Sequence, residues 1–388
     1  MEINKIQIGR GKNTNSLYES FNGLRAIAAL GIAMMHYRAF IVVKPSVNFI
    51  TGNVIPFFTE FVFLFFMLSA FGMCCGYFRR FQMFEGLNGS KSLKCSTFNT
   101  EDFYKKRFSR IWPYFALLVS IDLLMYVAQH GFAWNVGLRA ETYQALADLT
   151  LCFNFLPNPD ITVIGGGWFL GTIFVFYIMF PFFVFLIGNK KRAWFAMAVA
   201  LMMHLLTVHY FLTPEFCLES QISNARHEIT YSFIFLLAGG MLFLYKDQLT
   251  FNKYWKKGIM LAIVVIGTIT QLVWHPQILG ENRLYLILLF AAWIVYAMSG
   301  GFVLDGFKVL DNKVMKFLGD ISMEIYLTHM MMFRLVEKIH LERHIGDNDW
   351  LFVATYVVGI SLTIAFAWTV KYKVFPIVGE CFAKVKKY

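Results

Sequence analysis

The chain has 388 residues; 58% are hydrophobic, 15% are charged, and the net charge is +11. Ordinary soluble domains carry roughly 45–50% apolar and about 25% charged residues. The composition therefore argues against a soluble enzyme and excludes a disordered, collagen-like or small disulfide-bonded chain. It points to an all-α polytopic membrane bundle.

The polar, basic start MEINKIQIGRGKNTNSLYES lacks the early apolar stretch and cleavage site of a secretory signal. Residues 1–20 are expected to form a cytoplasmic tail, and the first apolar segment a retained span. A bilayer core is crossed by about 20 mostly apolar helical residues. Ten segments qualify: Leu24–Val43, Pro56–Phe78, Ile111–Gln129, Trp168–Ile187, Ala193–Phe211, Ile229–Tyr245, Gly258–Trp274, Leu284–Val303, Phe317–Val336 and Trp350–Val370. With the N-terminus inside and the sides alternating, 27 of the 35 Lys and Arg residues fall on the cytoplasmic face. That bias sets orientation, so both termini are expected in the cytoplasm, with 372–388 as a basic tail. It also assigns the charge excess to topology rather than to a nucleic-acid partner. Two loops are long, 79–110 inside and 130–167 outside. Within the second, Glu141–Leu156 is expected as an interfacial or re-entrant helix. The six cysteines form no CxxC pair, so neither a zinc site nor a disulfide framework is indicated.

Ionisable side chains inside a bilayer cost about 2.5–3.5 kcal/mol each on insertion scales and face the bundle interior. The first span carries Arg25 and His36, the second Glu60, the third Asp122, and the fifth His204 and His209. The ninth carries Asp320, Glu324, His329 and Arg334. Arg25 and His36 are eleven residues apart, three turns plus about 20°, so they share a face about 16 Å apart along the axis. Only a long ligand meets both, with an anionic end near the cytoplasm and a reacting group deeper. Acyl-coenzyme A has that shape. The plainer alternatives are a snorkelling Arg25 and a His36 bonded to a neighbouring helix. In FNTEDFYKKRFSRIWPYF, Asn99 is the expected N-cap, with Glu101 and Asp102 in the first turn. Arg107 and Arg110 share a face. Two guanidinium forks there suit phosphate, with an anchor to lipid headgroups as the competing reading.

Five ordered segments together resemble the acyltransferase-3 family of integral membrane proteins. They are GLR…H (Arg25, His36), FFMLSAFGM, RFSRIWPYF (Arg107, Arg110, Pro113, Tyr114), WFLGTIFVFYIMFP and GDISMEIYLTH (Ser322, Tyr326, His329). The resemblance implies an acyltransferase domain over 21–371 in a bacterial cytoplasmic (inner) membrane. It implies transfer of an acyl group, commonly acetyl, from cytoplasmic acyl-CoA to a hydroxyl of cell-surface polysaccharide, peptidoglycan or a lipid-linked sugar. It implies His36 as the catalytic histidine, and Arg25, Arg107 and Arg110 as donor-side residues, with no metal. Histidine is a suitable base near neutral pH; whether it activates the acceptor or is acylated first stays open. Tyr326, His329 and Ser69 are candidate oxyanion donors, with ordinary interhelical hydrogen bonds as the alternative. Trp168, after Gly165–Gly167, is either a wall of the acceptor site or an interfacial tryptophan. Two features depart from the family: Ile173 stands about where some members carry a glutamate, and no extra-membrane SGNH-type esterase domain is expected. Intramembrane His, Arg, Asp and Glu also suit a transporter; acylation of another acceptor such as a lipid or small molecule is a further alternative, and a glycan polymerase or flippase-like partner without acyl chemistry is a third reading.

Overall fold

The computed structural model describes residues 13–82, 100–151, 153–155, 164–213, 226–301, 303–304 and 307–377. Asn99 and the ends of both expected tails lie outside the described residues. Among those described, the regular structure is helical apart from a two-residue antiparallel ladder pairing Val303–Leu304 with Phe307–Lys308 and an isolated bridge between Ile278 and Glu281. The long helices are α1 (Asn13–Phe40), α2 (Phe61–Gln82), α3 (Thr100–His130), α4 (Val136–Thr150) and α5 (Trp168–Ile187). They continue as α6 (Lys190–Phe211), α7 (Ile229–Leu244), α8 (Tyr254–Trp274) and α9 (Asn282–Met298). α10 (Lys313–Asp320), α11 (Ser322–Glu337) and α12 (Asn348–Thr369) complete the bundle. Short π, α and 3-10 turns over 50–60 lead directly into α2.

Polar residues at the helix starts cap free backbone N–H groups. Asn135 accepts from Leu138 N, Asn189 from Lys191 N and Arg192 N, Asn312 from Met315 N, and Asp347 from Asp349 N and Trp350 N. Six helical stretches are long and apolar enough to cross a membrane: 50–78, α3, α5, α6, α8 and 348–377. α7 and α9 are shorter apolar helices. Of the segment expected as a helix at Glu141–Leu156, the first part lies in α4, which begins earlier and is capped at Leu151 in the left-handed region (φ 56°), and Leu156 lies outside the described residues.

One expected span is corrected. Phe317–Val336 is not one helix but two, α10 and α11, broken at Ile321 (φ −107°, ψ 14°). Gly319 lies at the break, and glycine weakens a helix interior. A side chain at Gly319 would collide with the Asn22 backbone, so the break lets α10 press directly on α1.

α2 and α7 form the centre. The most apolar 18 residues of 50–78 are 72% buried, whereas those of α6 and of α8 are each 17% buried and turn apolar faces outward. Gly239 of α7 sits on the Met67 backbone, where any side chain would clash, and Phe63 stacks on Phe235 at 4.3 Å. Close backbone approach through small residues is a common way for helices to associate in lipid.

Candidate active site

Ser69, Gly72, Met73, Gly76, Tyr77 and Arg80 recur at three- and four-residue steps, so they occupy one face of α2. The two glycines leave that face thin. A cavity of about 490 Å³ opens there, walled by α1, α3, α5 and the α10–α11 break. A Cβ at Gly76 would meet nothing within 4 Å; one at Gly72 would lie 3.1 Å from Arg25 Nη2.

The cavity gathers four arginines, Arg25, Arg80, Arg107 and Arg110, and one carboxylate, Asp320. Asn22 Nδ2 donates to Asp320 Oδ1 at 3.1 Å. Arg107 is positioned by aromatic rings. Its Nη2 donates to the Tyr77 hydroxyl at 2.7 Å, and its guanidinium lies 4.9 Å from the Tyr77 ring and 5.9 Å from the Tyr177 ring. Arg107 Nε is buried without a hydrogen-bond partner. An unpaired buried charged donor is costly, and phosphate oxygens are the natural acceptors for such a fork. The arginine set thus suits a ligand with a phosphate-bearing, anionic end.

Towards its inner end the cavity is walled by Phe65, Phe169, Leu170, Ile173 and Tyr326. Phe65 and Phe169 pack edge-on against Tyr326, with ring centroids 6.1 and 5.2 Å away. The Tyr326 hydroxyl donates to Gly166 O at 2.9 Å. Gly166 has φ 80°, a conformation that suits glycine.

His36 and His329 do not line the cavity. They form a pair beside it, His36 Nδ1 to His329 Nε2 at 2.8 Å. The ring planes lie within 18° and the centroids 4.9 Å apart, so the contact runs edge to edge. His329 is fully buried and His36 half-buried. His329 Nδ1 donates to Tyr326 O at 2.5 Å, and the Tyr37 hydroxyl donates to His329 O at 3.2 Å. Tyr326 therefore joins the cavity to the histidine pair: its ring is in the wall and its carbonyl holds His329.

Of the residues singled out from sequence, Arg25, Arg107, Arg110, Ser69 and Tyr326 converge on the cavity. Trp168 lies apart from it, stacked on His227 with 4.0 Å between centroids. Most other intramembrane charges are tied across helices: Glu60 to Arg283 (3.2 Å), Asp122 to Arg334 (2.9 Å) and Glu324 to Lys371 (2.7 Å). His204 Nδ1 donates to Tyr231 O at 2.9 Å. Gly72, Gly76, Tyr77, Arg80, Tyr177 and Asp320 line the cavity as well, although sequence did not mark them as site residues. The helical spacing of small and polar residues after Ser69 is the signal that could have found the first four.

A family model for an acyltransferase domain matches residues 18–372, nearly the whole chain. The chain belongs to the acyltransferase-3 family. No curated protein and no solved structure matches it. The matched region of this membrane acyltransferase contains the whole cavity and both histidines of the pair. Among the described residues, no three or more His, Cys, Asp or Glu side chains are grouped so as to hold a metal ion.

Proposed function

We propose that this acyltransferase takes an acyl group, acetyl in the simplest case, from cytoplasmic acyl-CoA. It delivers the group to a hydroxyl of a cell-surface polysaccharide or lipid-linked sugar. The observation that carries this reading is one continuous arrangement. An arginine-lined cavity reaches Tyr326, and Tyr326 is bonded to a histidine pair on α1 and α11. Arg25, Arg107 and Arg110 hold the donor phosphates through charge-assisted bonds. The apolar inner wall receives the pantetheine arm and the acyl end. Tyr326 stands where the thioester passes towards His36.

A sugar hydroxyl is a poor nucleophile until a base takes its proton, and His36 is the base. Both termini are on the donor side, in keeping with the 27 of 35 basic residues assigned there. The acceptor approaches from the other face and reaches His36, which is only half-buried.

The test uses purified full-length protein in nanodiscs with radiolabelled acetyl-CoA and a glycan acceptor. Release of free thiol together with label on the glycan is expected. Labelled glycan should also disappear from cells lacking the gene. No thiol release with any acyl-CoA, alongside proton-driven solute uptake in vesicles, would replace this reading with the transporter.

A further inference from the structure

His36 has two ring nitrogens, and only one can take a proton from an acceptor hydroxyl. Which one is available depends on the tautomer, and the tautomer is set by the hydrogen bonds. A backbone carbonyl only accepts, so the contact from His329 Nδ1 to Tyr326 O puts a proton on that nitrogen. His329 is fully buried, and a second proton would bring an uncompensated charge into the bundle. The ring is therefore neutral, with its lone pair on Nε2. That lone pair faces His36 Nδ1 at 2.8 Å. His36 Nδ1 must then be the donor, which leaves the lone pair of His36 on Nε2.

We propose that His329 is a positioning residue that fixes His36 in the tautomer whose Nε2 is the base. The inference rests on the reading of His36 as the group that does the chemistry. It gives His329 a role different from an oxyanion donor, because both of its ring nitrogens are engaged within the protein. In the transfer step the acceptor oxygen forms a bond to the acyl carbon and its proton moves to His36 Nε2. The carbon–sulfur bond then breaks with its electron pair on sulfur. The proton passes from Nε2 to the departing thiolate, restoring neutral His36. If His36 is acylated first, the attacking atom is again Nε2, so either route needs the same tautomer. A base oriented by a third group recurs in nucleophilic and acid–base catalysis. Here the orienting group is a neutral imidazole from a helix 293 positions away in sequence. Tyr326 O sets its tautomer, and Tyr37 ties its backbone.

The test compares wild type, His329→Phe, His329→Gln and His36→Ala as full-length proteins in nanodiscs. In wild type labelled with nitrogen-15 histidine, the signal lost in His36→Ala should show a protonated Nδ1 and an unprotonated Nε2. His329→Phe should lower kcat at least about hundredfold, within the range that general-base catalysis supplies, with the donor KM unchanged. His329→Gln, whose amide oxygen can accept from His36 Nδ1, should recover at least about tenfold of that loss. Wild-type His36 carrying its proton on Nε2 would overturn the inference, and that measurement does not depend on whether the His329 variants fold. Equal activity of the Phe variant and wild type would also overturn it. Full activity of His36→Ala would instead remove the base reading itself, so the two failures are distinguishable.

Discussion

The two cavity glycines of α2 allow one substitution to be made twice with opposite functional results. At Gly72 an added methyl would sit 3.1 Å from Arg25 Nη2. Ordinary carbon contacts are about 3.5–4.0 Å, so the guanidinium must yield by several tenths of an ångström. It is the far end of a long side chain, and folding tolerates the shift. Replacing a helical glycine by alanine even stabilises by about 0.5–1 kcal/mol. The donor phosphate, however, loses an aligned charge-assisted bond, which contributes about 1.5–3 kcal/mol. At 1.4 kcal/mol per tenfold, Gly72→Ala should raise the donor KM roughly 10- to 100-fold. At Gly76 the same methyl meets nothing within 4 Å, so Gly76→Ala should gain the helix stabilisation and keep the donor KM. Gly76→Trp projects a large ring into the open space and should abolish donor binding without lowering the melting temperature. The assay is acetyl-CoA titration of thiol release in nanodiscs, with thermal unfolding monitored in parallel. A wild-type donor KM in Gly76→Trp would refute the cavity as the donor site. Identical KM values in the two alanine variants would refute a phosphate contact by Arg25.

The same geometry sets further expectations. Tyr77→Phe removes the hydroxyl that accepts from Arg107 at 2.7 Å but keeps the ring beneath it; the donor KM should rise about three- to tenfold, measured by the same titration. His36→Ala should lower turnover at least about hundredfold, with acetyl-CoA affinity in equilibrium binding unchanged; normal turnover would return His36 to a buried polar contact. Glu60→Ala removes the carboxylate that meets Arg283 at 3.2 Å and leaves Arg283 with Glu281 at 3.4 Å, and should destabilise by about 1–3 kcal/mol. Glu60→Gln should be milder, and equal melting temperatures would show that the pair contributes little. A reporter active only outside the cytoplasm, fused after Tyr388, should stay silent; activity there would reject the proposed orientation.

Sequence alone determined the features that depend on local geometry. Apolar runs near bilayer length marked the helices of the bundle. A rise of about 1.5 Å and 100° per residue put Arg25 and His36 on one side of one helix and at different depths, and α1 runs unbroken through both. The same arithmetic paired Arg107 with Arg110, and both line the cavity. Tertiary structure decided the features that depend on how helices meet. The α10–α11 break was hidden because Asp320 and Ser322, on either side of Ile321, are residues that a continuous helix also accepts, while the contact of Gly319 with Asn22 exists only once α1 is packed there. The partner of Glu60 is Arg283, 223 positions away, and that of His36 is His329, 293 positions away. Periodicity carries no information across such separations. It describes one helix at a time, whereas the histidine pair and the arginine cavity are set by the crossing of α1 with α2, α3 and α11.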